Sequence, residues 1–279
     1  VSYPAYGRNH VPEAPSALLT LHQHDGVSHL KTVDHEPKVG VLDQSDLESQ
    51  GIYTDLLIRG AKRADALGSC TANATVAALS NILPSVEFLM LPKKIAHTTH
   101  ELSDNEDVVN AERAAVLFYH ACTDQTGQPS EEWPPTDCGS SGAYVVQELQ
   151  KLKLASGAKI ASGADNIVSL LQQGGLIVGQ PFLTAWETPD TFGFIDGNGS
   201  AATLEAQIRQ GVAGGHELYV SAIERLVLYA TGAVNPYKTV LRIRNSWGRL
   251  WGDNGSCRIH LSTYVALGGS CDFRLILPV

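Results

Sequence analysis

The chain has 279 residues, 43% hydrophobic and 18% charged, with a formal net charge of −9. That length suits one large domain or two lobes sharing a cleft, and no run of about eighteen uncharged apolar residues offers a membrane span. Lys and Arg are scattered through an acidic chain, which argues against a nucleic-acid or anionic-membrane partner, because either would need a concentrated basic face.

In chain order, residues 1–50 are rich in Pro, His, Asp and Ser without sustained periodicity and predict an extended arm over or beside the main body. No charged segment leads into an apolar stretch, so no secretory leader is expected here. His22, His24, His29 and His35 fall in this arm, but no Cys and no His-x3-His pair accompanies them, so they read as loop histidines and no metal is expected. From Ser69 the pattern turns helical: Ala72, Val76, Leu79 and Leu83 share one face and Pro84 stops the run. A second helix is expected over residues 111–121 and a third from about Ser141, carrying Val145, Leu149 and Leu152. Residues 51–172 thus predict a mainly helical lobe.

Past residue 172 come short β-type runs at 176–182, 217–223, 239–244 and 257–261, separated by Gly-rich turns. Residues 173–279 predict a strand-rich, barrel-like lobe, giving an α+β fold of two lobes with a cleft between them. The five cysteines, Cys70, Cys122, Cys138, Cys257 and Cys271, are odd in number, so at least one thiol stands outside any intramolecular disulfides. Spacing does not choose among the pairings of the other four, or between disulfides and buried thiols.

The residues with chemistry begin at Cys70. A thiol is a strong nucleophile as thiolate, which the positive end of a helix dipole and a neighbouring imidazolium both favour. Leu67-Gly68-Ser69-Cys70-Thr71-Ala72-Asn73-Ala74 sets small residues before the thiol and starts a helix at it. By itself this context equally suits a buried structural Cys. His216 follows Gly214-Gly215 and opens an alternating strand that would hold its ring. Asn245 begins Asn-Ser-Trp-Gly in a Gly-rich turn after another strand, with Trp251-Gly252 and Gly255 further on.

These three segments together resemble the papain-like cysteine peptidase family. His216 and Asn245 follow Cys70 by 146 and 175 residues (216 − 70 and 245 − 70), in the family's order, in which His and Asn stand about 130–150 residues after the Cys. The resemblance implies Cys70 as nucleophile, His216 as base and then acid, Asn245 as the amide that orients the imidazole, and Trp247 as its cover, with Gly215 in support. It also implies a polypeptide substrate, no cofactor and no metal. Leu-Gly-Ser-Cys-Thr-Ala-Asn-Ala is more similar to bacterial and viral branches than to plant papains, and Leu67 stands where those carry the Cys of a disulfide beside the nucleophile. Residues 137–142 resemble the loop bordering the substrate groove, and residues 174–179 an early strand of the second lobe.

One element departs from the pattern. The family usually carries a Gln six residues before the nucleophile as the second oxyanion donor beside the Cys backbone N–H, and here position 64 is Ala64. Losing one such donor costs about 10²–10³ in turnover in a serine protease. Three readings follow: a donor from elsewhere, such as Arg63 or a group in the first fifty residues; weakened hydrolysis or acyl transfer to an amine; or a peptide-binding protein without turnover. The arm itself is expected in or near the cleft, as a propeptide remnant, a strap between lobes, or a tail for a partner.

Overall fold

The structure is a computed structural model that describes residues 30–46, 51, 66–84, 111–123, 133–134 and 136–279. Its described helices are α1 (Cys70–Ile82), α2 (Ala111–Thr123), α3 (Gly142–Lys151), α4 (Ala164–Leu171), α5 (Ala201–Gln210) and α6 (Leu261–Leu267). The strands are β1 (Val33–Asp34), β2 (Gly157–Ala161), β3 (Leu176–Leu183), β4 (Val212–Arg225), β5 (Val240–Arg244), β6 (Ser256–His260) and β7 (Asp272–Leu277). The fold is α+β, and every pairing is antiparallel, in the order β2-β7-β3-β4-β5-β6 with β1 joined to β4.

Helix α1 is buried on all sides from Cys70 to Ser80, its polar Asn73, Thr75 and Ser80 bonding back to the helix's own backbone, and it packs between β4 and α2. It ends at Leu83, whose ψ of 144° is the extended conformation that a following proline imposes. Ser141 caps α3 by accepting from the Tyr144 N–H.

The alternation of β3 and β4 divides two hydrophobic cores. Ile177 and Tyr219 join α1, α2 and α3 in one core, while Leu176, Val178, Phe182, Leu218 and Val220 join β5, β6 and the C-terminal elements in the other. Strand β2, inside the span expected to be helical, pairs along its whole length with β7 near the C-terminus.

Residues 30–46 run as a strap along the sheet and over α1. Strand β1 pairs with Ala222 and Ile223 of β4. Arg242 binds Asp34 at 2.6 Å and Glu36 at 3.3 Å, and Arg244 also pairs with Glu36. The Tyr219 hydroxyl donates to the His35 carbonyl at 2.9 Å and accepts from Asn81 Nδ2 at 3.0 Å, joining β4, the strap and α1 through one oxygen. Further along, the Gly248 N–H donates to Leu42 O at 3.0 Å and the Gln44 N–H to Ser246 O at 2.9 Å. Tyr219→Phe leaves the ring packing intact and removes this junction, so urea denaturation should show a loss of about 1 kcal/mol.

Candidate active site

Cys70 occupies the first position of α1, where no acidic residue offsets the positive end of the helix dipole. Ser69 does not cap the helix: its hydroxyl and carbonyl accept from Asn73 Nδ2 at 3.0 and 2.9 Å. The preceding loop is held from outside. The buried Gly68 N–H donates to Asp137 Oδ2 at 2.8 Å, and Tyr119 donates its hydroxyl hydrogen to the other Asp137 oxygen. The same hydroxyl accepts from Gly139 N at 2.8 Å. Residues 137–139 are thereby tied to the loop before Cys70 without a disulfide, and all five cysteines are free thiols.

From β4, the Glu217 N–H donates to Cys70 Sγ at 3.4 Å, and His216 is the residue just before it in that strand. Gly215, just before it, lies opposite Pro181. His216 Nε2 meets Asn245 Oδ1 at 2.8 Å, and that oxygen also accepts from Ser246 N at 2.8 Å. With its oxygen so fixed, Asn245 takes a hydrogen from Nε2, and the lone pair of the neutral ring stands on Nδ1. Phe182 and Trp247 pack on the imidazole with ring centroids 5.1 Å away. Burial pushes the His216 pKa down to about 4, against a smaller upward pull from the Asn245 bond.

Sequence spacing did not point to Gln44. It is buried, its Nε2 donates to Leu67 O at 2.6 Å, and its Oε1 accepts from Ser246 Oγ at 2.6 Å. One side chain thus spans from the loop before Cys70 to the residue after Asn245. It precedes Cys70 by 26 residues (70 − 44), because residues 45–66 intervene where a spacing of six was sought. The available signal was Asp43-Gln44 following the apolar pair Val41-Leu42. Ala64 and Arg63 lie outside the described residues, as do His22, His24 and His29, whereas a His35 ring nitrogen bonds Leu171 O at 2.7 Å. Among the described residues no group of three or more His, Cys, Asp or Glu is arranged to hold a metal, and no helix is long and apolar enough to cross a membrane.

No protein-family model matches the chain, and no curated protein matches it either. Among solved structures it is similar to xylellain, a cysteine protease from Xylella fastidiosa, at 18% identity and a TM-score of 0.47, over 99% of this chain and 97% of that one. It is also similar to procathepsin B S9 from Trypanosoma congolense, at 9% identity and a TM-score of 0.48, over 98% and 86% of the respective chains.

The low His216 pKa gives a stability prediction. Between pH 6.5 and about 4 the unfolded chain protonates this histidine and the folded chain does not. Stability that is present above pH 6.5 is therefore lost as pH falls through that window. Urea titrations at pH 7 and pH 4.5 should show a wild-type loss at acid pH that is about 2 kcal/mol smaller in His216→Gln.

Proposed function

We propose that this protein is a papain-like cysteine peptidase that cleaves polypeptides through a thioester on Cys70. The observation that carries the reading is the 2.8 Å bond from His216 Nε2 to Asn245 Oδ1, formed where the next residue's N–H reaches Cys70 Sγ. It leaves the basic nitrogen of the ring for the thiol.

In this mechanism His216 Nδ1 takes the thiol proton and the sulfur attacks the carbonyl carbon of the scissile peptide. As the tetrahedral adduct collapses, the imidazolium returns that proton to the departing amine. Water then attacks the thioester, giving its proton to Nδ1, and the proton returns to sulfur as the acid leaves. Asn245 keeps the ring in one tautomer throughout, and Trp247 and Phe182 keep water from the bond between them.

The Cys70 N–H is one oxyanion donor and the Gln44 side-chain amide is the second, filling the role that Ala64 vacates. Its support is position: Gln44 is anchored at Leu67, three residues before the nucleophile, and at Ser246, beside Asn245. In this reading residues 30–46 belong to the working enzyme as a strap between its two sides.

A thiol-directed epoxide should label Cys70 rapidly at neutral pH, and His216→Ala should abolish rapid labelling. An inert thiol that titrates like free cysteine would sink the peptidase reading in favour of a binding protein. Gln44→Ala should lower kcat on a peptide substrate by about 10²–10³ while epoxide labelling persists. If Ala64→Gln raises turnover and Gln44→Ala does not lower it, the donor assignment is wrong. Product analysis with added amine separates hydrolysis from acyl transfer.

A further inference from the structure

Behind the His216–Asn245 pair lies a small cavity of about 10 Å3, lined by Asn73, Ala74 and Ala77 of α1, by Asn245 and Ser246, and by strap residues including Leu42. Two of its lining side chains carry a buried polar atom with no hydrogen-bond partner: Asn73 Oδ1 and Asn245 Nδ2. Both residues are 2% exposed.

Neither amide can resolve this by turning over. Asn73 Nδ2 is fixed by two acceptors on Ser69, which leaves Oδ1 as the outward atom. Asn245 Oδ1 is fixed by two donors, His216 Nε2 and Ser246 N, which leaves Nδ2 outward. A donor and an acceptor are therefore left over on two residues that line the same cavity, each amide fixed by the bonds of its other atom. An unpaired buried amide group is unfavourable, whereas a cavity of this size with polar partners holds one water.

We propose that one ordered water sits in this cavity, accepting from Asn245 Nδ2 and donating to Asn73 Oδ1, and that Asn73 is thereby a positioning residue for the catalytic imidazole. The inference rests on the peptidase reading for its function but not for its structure. The water ties the nucleophile's own helix to the amide that orients the base. Asn73 lies three residues beyond Cys70, so the thiol and the imidazole are referred to the same turn of α1. Displacing the water leaves Asn245 Nδ2 unpaired, loosens the amide, and weakens the bond that raises the His216 pKa.

Two measurements test this. A high-resolution crystal structure of the wild type should show a density peak within hydrogen-bond distance of both atoms. The variant Ala77→Val fills the cavity from the α1 side while leaving both amides in the chain. Its pH profile of Cys70 alkylation should move to lower pH, with a several-fold lower plateau rate per folded molecule, in the same direction as Asn245→Ala. A dry cavity in the wild-type crystal, or a profile of Ala77→Val that superimposes on wild type, overturns the proposal. The crystallographic arm does not depend on the variant folding or on any turnover. A wild-type thiol that is inert while the water is present would refute the peptidase reading and leave the water site standing.

Discussion

The arrangement depends on the pleat of β4. Because successive side chains of a strand face opposite ways, His216 and Leu218 look into the sheet-side core while Glu217 and Tyr219 look toward the helices. The strand can therefore seat the imidazole against Phe182 and Trp247 while the backbone N–H of the next residue reaches Cys70 Sγ. A one-residue slip would exchange the faces and bury Glu217 among Phe182 and Trp247. Eight residues of β4 between Val212 and Val220 are registered against β3 with a single irregularity near Leu183, which makes that slip costly along its whole length.

Helix α1 could be read from sequence because its signals are local. Small apolar residues at helical spacing, and a proline that forces Leu83 out of the helix, lie within one window. The central strands were legible for the same reason, although β4 begins at Val212, five residues before the expected start, because Gly214 and Gly215 interrupt the alternation. Strand β2 gave no such signal. Gly157-Ala158-Lys159-Ile160-Ala161 has few large apolar residues, and its partner lies more than a hundred residues away, so only the closed sheet reveals the pair. Helix α5 was equally silent, since Leu204 is its one buried residue.

At the site, Cys70, His216 and Asn245 were visible because each sits in a short, unusual context, and their order agreed. Gln44 was not, for a physical reason. A side chain reaches a site through space, and an intervening stretch can change its sequence distance without changing its place in the fold. Here residues 45–66 do so, while Leu67 N bonds Gln44 O at 3.1 Å and brings the chain back to where it left. The strap was expected as an arm of three alternative kinds; its backbone pairing with Ser246 and Gly248 ties it to the turn that carries Asn245 and Trp247.

The loop before Cys70 is fastened by a carboxylate, a phenol and a primary amide, none of which changes with redox state. Its geometry thus has no need of an oxidising environment, and a reductant strong enough to keep Cys70 as a thiol takes no crosslink from the fold. The position of the Cys70 thiol at the start of α1 is thus kept by groups that reducing conditions leave as they are.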